Sequence, residues 1–100
     1  MPDEPRWAQG PAMGPEGRAM LIIRTNGTTE DRKRKISLPS AQKIVGGYVE
    51  VVRLPVGVLL VDEDSQVKRE RPPVNEAASR LAGQVILGNA IYMEKLSDLT

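Results

Sequence analysis

The sequence predicts a small α+β domain, a mostly antiparallel sheet of about four or five strands with two short helices packed on it. Short β-prone apolar runs recur between residues 20 and 95, each closed by Gly, Pro, Asn or Asp. Two other stretches, near Pro39 and after Asn75, carry helix start and stop signals. No internal repeat divides the 100 residues, a length suited to one domain.

The elements follow in order. Residues 1–19 hold Pro2, Pro5, Pro11 and Pro15 among Gly10, Gly14 and Gly17, with no hydrophobic period. Such a stretch buries too little apolar area to offset its ordering entropy, so a disordered tail is expected, dispensable to a domain spanning 20–97. Met20, which opens the first strand, fits an alternative start. Trp7 is the tail's one large apolar group, a solvated ring or an anchor for a partner. Residues 20–25 form the first strand, ended by the turn dipeptide Asn26-Gly27. The polar stretch 28–34 leads to a second strand at 35–38, antiparallel to the first. Pro39 suits the first turn of a helix that faces Ala41, Ile44 and Val45 inward and stops at Gly46-Gly47.

Residues 48–54 read as a strand broken by Pro55, and the nearly all-apolar run 56–61 as a strand covered on both faces. Asp62-Glu63-Asp64-Ser65 is an acidic turn, and 66–71 a charged return with the composition of a short edge strand. After the rigid Pro72-Pro73, Asn75 caps a helix over 76–82. Glu76 lies in its favourable first turn, four residues before Arg80, and Gly83 ends it. Residues 84–95 make a last long strand, with Gly88-Asn89 placed for a bulge or kink. The order is therefore β-β-α-β-β-α-β.

Composition removes several kinds of chemistry. The chain has no Cys and no His, which excludes thiolate nucleophiles, disulfides, histidine bases and nearly all zinc sites. Lys and Arg number 14 against 13 Asp and Glu, so no global field steers the chain onto nucleic acid or an anionic membrane. Three aromatic rings, Trp7, Tyr48 and Tyr92, are too few for a base-stacking platform. No apolar run nears the ~20 residues that span a bilayer. The expectation is a soluble cytoplasmic protein with no cofactor, no metal and no catalytic residues.

Three patches carry a family resemblance: Val45-Gly46-Gly47-Tyr48-Val49-Glu50-Val51-Val52, Pro73-Val74-Asn75-Glu76-Ala77-Ala78 and Ile86-Leu87-Gly88-Asn89-Ala90. In this order and spacing, over residues 20–96, they resemble a family of small domains of unassigned function carried by bacteriophages and other mobile elements. The resemblance implies a compact α+β fold and a bacterial host's cytoplasm as the setting, and carries no catalytic residue across.

The candidate contact residues are few. Gly46, Gly47 and Tyr48 form a corner after the first helix, although phosphate-binding glycines precede a helix, which favours a structural cap. Asn75 is first a helix cap and second an amide able to read a nucleobase, with Arg80 nearby for phosphate. Asn89 sits in the kink and needs its hydrogen bonds satisfied. Glu50 lies between valines and makes no carboxylate pair. The acidic turn 62–64 lacks calcium-loop spacing and reads as a hairpin tip. Arg32, Lys33, Arg34 and Lys35 form the strongest basic run, with Lys68, Arg69 and Arg71 as a second cluster; Glu30, Asp31 and Glu70 dilute both.

These features point to a non-enzymatic accessory protein that binds a host defence protein or sequesters a nucleotide signal, and that self-associates to enlarge a small core. The alternatives are a nucleic-acid-binding regulator using residues 32–35 and, from another class, a metal-dependent nuclease or phosphodiesterase built on Asp and Glu.

Overall fold

The computed structural model describes residues 19–33 and 35–100. Its elements are β1 (Met20–Ile23), β2 (Thr29–Arg32), α1 (Leu38–Val45), β3 (Val49–Arg53), β4 (Val58–Asp62), α2 (Glu76–Ala82), β5 (Ala90–Met93) and a final 3-10 turn, Leu96–Asp98. The expected order holds, and the domain is α+β. Five strands form one sheet in the order β2-β1-β5-β4-β3, antiparallel at every pairing. Two hairpins, β1-β2 and β3-β4, are thus joined edge to edge by β5.

Alternation along the strands sends apolar side chains to both faces. Leu21, Ile23, Leu59, Val61, Ala90 and Tyr92 pack with Ala77 and Ala78 of α2 and with Ile86. Met20, Ile22, Val58, Leu60, Ile91 and Met93 pack on the other face with Ala41 and Val45 of α1 and with Ile36. The helices therefore lie on opposite faces, and β1, β4 and β5 are buried along their whole length.

Local signals set the helix ends. Ser37 caps α1, its hydroxyl oxygen accepting from the Ser40 N–H, and Gly46 closes the helix in the left-handed conformation. Asn75 and Gly83 do the same for α2.

Three expected elements differ. The second strand is β2, not residues 35–38. Asn26 Oδ1 accepts from both the N–H and the hydroxyl of Thr28, and the Arg24 N–H donates to Thr28 O, so the hairpin closes at once and Thr29 pairs with Ile23. β2 is an edge strand of Thr-Glu-Asp-Arg, mostly exposed, and so has no apolar alternation to display. The alternation at 35–38 reflects Ile36 alone, buried under α1 and bridged in parallel to Leu99. Residues 66–71 form turns, because the N–H groups of Val67 and Lys68 both donate to Asp64 O. The last strand is confined to Ala90–Met93. Residues 84–88 fold back on the start of α2: the Asn75 N–H donates to Ile86 O and the Gly88 N–H to Pro73 O, before the chain turns at Gly88 into β5. The expected tail, with Trp7, lies outside the described residues except for Ala19, whose carbonyl accepts from the Glu94 N–H.

Candidate functional site

The best-built polar cluster lies at the end of β4. Asp62 continues the apolar run Val58-Leu59-Leu60-Val61 and is equally buried, its side chain fully out of solvent. A buried carboxylate needs partners. Oδ1 accepts from the Asp64 N–H at 3.0 Å, closing the acidic turn, and Oδ2 is ion-paired with the Lys68 ammonium. Lys68 also donates to Gly46 O at 2.7 Å, satisfying a carbonyl at the end of α1. One lysine thus ties the acidic turn, the end of β4 and the helix corner together. A Cβ on Gly47 would stand 2.6 Å from Asp62 Oδ1, closer than packing allows. Gly46 is a cap as expected, while Gly47 makes room for the carboxylate.

Beside this clamp lies an open pocket of about 380 Å³, walled by Val45 and Gly46, Pro72 and Pro73, and Gly88 and Asn89, with Lys43, Lys68 and Glu70 contributing charge. Asn89 accepts from the Thr25 N–H through Oδ1 at 3.0 Å, which fixes the amide's orientation and leaves its NH2 without a partner among the described residues. Lys43 is exposed in the last turn of α1 and forms no ion pair among the described residues, whereas Lys68 is committed to Asp62. On the α2 face, a second pocket of about 350 Å³ runs between β3 and residues 84–87, with Glu50 and Glu63 on it.

The pocket by the clamp brings together two of the sites expected from sequence, the Gly46 corner and Gly88-Asn89. Asn75 is close in sequence logic but closed in structure. It is 1 % exposed, its NH2 donates to Ile23 O at 2.8 Å and Gly88 O at 3.0 Å, and its Oδ1 accepts from the Ala78 N–H. Arg80 is exposed on α2 and does not line the pocket; Tyr48 is 69 % exposed beside β3. In the basic run, Arg32 is paired with Glu30, Lys33 and Lys35 are exposed, and Arg34 lies outside the described residues. Hydrogen bonds from Arg24 and then Arg32 hold the Glu30 carboxyl below its ordinary value. That pairing takes charge away from the expected phosphate-binding run. Reasoning from sequence placed Asp62 in an acidic turn and Lys68 in a basic cluster but missed their pairing. The only signal was an acid ending an otherwise apolar strand, six positions before a lysine.

Residues 19–98 match the family described as a domain of unknown function, DUF3846. The chain belongs to this family. No curated protein and no solved structure matches it. The DUF3846 match begins one residue before β1 and ends with the final 3-10 turn, so it takes in the whole sheet, both helices and the clamp. Among the described residues of the DUF3846 domain, no helix is long and apolar enough to cross a membrane, and no cluster of three or more acids is fit for a metal ion.

Proposed function

We propose that this DUF3846 domain works by binding, as an accessory protein of a phage or other mobile element, and that it sequesters a small nucleotide-type signal in the pocket beside the Lys68 clamp. The observation that carries the reading is convergence. Three segments distant in sequence, at residues 43–46, 70–73 and 88–89, wall a single pocket that offers the Lys43 ammonium and the Asn89 amide NH2, with the Glu70 carboxylate on its rim. Its volume falls in the range of about 300–1,000 Å³ typical of small-ligand sites, near the lower end. Lys43 would meet phosphate and Asn89 an acceptor on the base or ribose. Gly46 is held by the clamp, and Pro73 and Gly88 by the bond from the Gly88 N–H to Pro73 O, so little ordering cost remains for binding. With neither Cys nor His in the chain, sequestration is a simpler use of such a pocket than turnover.

The test is a thermal-shift screen of the full chain against linear and cyclic nucleotides and ADP-ribose derivatives. A ligand at a hundredfold excess over Kd adds about 2.7 kcal/mol, a rise in midpoint of roughly 10–20 °C in a domain this small. Hits should be recovered chemically intact after the protein is denatured. Lys43→Ala and Asn89→Asp, which keeps the acceptor for Thr25, should each weaken the shift. A flat screen would reject the nucleotide reading and direct attention to a host protein as target. Cleaved ligand would reject sequestration in favour of catalysis.

A further inference from the structure

The two edges of the sheet are unlike. β2 is charged, with Glu30 held between Arg24 and Arg32, a pattern that blunts strand addition. β3, at the other edge, is Val-Glu-Val-Val-Arg and is flanked by exposed Tyr48 and Val56. No proline, lysine or bulge interrupts it.

The backbone of β3 fixes which groups it offers. The Glu63 N–H donates to Tyr48 O and the Leu54 N–H to Gly57 O, so residues 48 and 54 turn their backbone groups toward β4. By alternation, 50 and 52 do likewise, and Val49, Val51 and Arg53 present theirs outward. Side-chain faces are fixed as well: Val49, Val51 and Arg53 share the α1 face, and Glu50 and Val52 the α2 face.

We propose that the β3 edge is the contact between two copies of this chain, which pair antiparallel about a two-fold axis at Val51 to make one continuous sheet. An axis normal to the sheet keeps each face on its own side, so outward residues must oppose outward residues of the same face. Few registers meet that condition. Centring on Glu50 sets two carboxylates directly opposite, and centring on Arg53 does the same with two guanidinium groups. Centring on Val52 sets Val49 against Pro55, which has no N–H to give. Centring on Val51 avoids all three faults. Val51 then pairs with the partner's Val51 and Val49 with the partner's Arg53, giving about six backbone hydrogen bonds. On the α2 face, Tyr48 lies over the partner's Leu54, a side chain only half-buried within one chain. This gives the 69 %-exposed ring an apolar surface to cover. The charged β2 edge ends the sheet on each side, so the assembly closes as a dimer. A contact five residues long is smaller than a standard interface of about 1,600 Å², so a micromolar dimer is expected.

The absence of native cysteine makes the register directly testable. Opposed Val51 residues should have Cα atoms about 5.5 Å apart, within disulfide range. Under mild oxidation, full-length Val51→Cys should cross-link to a covalent dimer at least tenfold faster than Val67→Cys, whose side chain is 80 % exposed in the 66–71 turns. Val49→Cys alone should not cross-link, while an equal mixture of Val49→Cys and Arg53→Cys should form the mixed dimer. Sedimentation of the unmodified chain from about 1 to 500 µM should show a monomer–dimer equilibrium, which Val51→Lys abolishes with its midpoint at high dilution unchanged. A monomer at every concentration overturns the proposal. So does a dimer indifferent to Val51→Lys, or equal cross-linking by Val51→Cys, Val49→Cys and Val67→Cys.

Discussion

Replacing Lys68 with Met keeps the aliphatic stem and removes the ammonium. Asp62 Oδ1 would still accept from the Asp64 N–H, but Oδ2 would lose its ion pair in a site with no solvent exposure, and Gly46 O would lose a donor. Breaking a fully buried pair from one side costs about 3–5 kcal/mol, and a pair in open solvent about 0–1. The Lys68 side chain is 33 % exposed while that of Asp62 is 0 %, so water can approach from the lysine side only. We therefore expect a loss of about 2–3 kcal/mol, a fall in midpoint of roughly 10–20 °C for a domain of this size. Urea unfolding of the wild type, Lys68→Met, Asp62→Asn and the double variant completes a thermodynamic cycle. The double variant should be less damaged than the summed single variants by about 2 kcal/mol, since neutralising the acid removes the stranded charge. A Lys68→Met variant within about 0.5 kcal/mol of wild type, or a cycle with no coupling, would refute the clamp.

Asn75→Ala should cost about 3 kcal/mol in urea unfolding, because a cap is lost and two buried carbonyls, of Ile23 and Gly88, lose their donors. Asn75→Asp should be no better, an outcome a simple cap would not give. Gly57→Ala should exceed about 3 kcal/mol, since a positive φ of 81° is combined with a Cβ 2.5 Å from Met93 O. Gly83→Ala, with φ of 69° and open space around it, should cost only about 1–2 kcal/mol. The lowered Glu30 value means that its contribution is present above the ordinary carboxylate value of 4.5 and is lost as pH falls through the depressed one. Carboxyl-resolved NMR titration should show Glu30 below 4.5 at low salt and closer to it at high salt.

What the sequence revealed of the fold was what is written locally. Pro39, Gly46, Asn75 and Gly83 each act within one helical turn, so both helices were legible, and only the Ser37 cap came from the structure. β4 was legible because a strand covered on both faces must be apolar throughout. β2 was not, because an exposed edge strand is selected for charge, and its pairing is set by the Asn26 turn instead. Residues 84–88 carried a strand-like composition, but the Gly88 turn and the bonds to Asn75 and Ser79 place them against α2. At the candidate site, Gly46 and Asn89 were found from their conformational demands. The Asp62–Lys68 pair depends on a turn that brings residues six apart together, and the role of Gly47 on an approach between segments fifteen residues apart.

The central strand of the sheet is the last to be made. During synthesis, β1 with β2 and β3 with β4 emerge as separate two-stranded ribbons, each too small to persist alone in water. Neither can be completed until Ala90–Met93 arrives to fill the gap between them. A nascent or truncated chain lacking that segment therefore leaves Leu21, Ile23, Leu59 and Leu60 without the strand that covers their edge. The sheet can therefore close only once nearly all of residues 19–98 has been made.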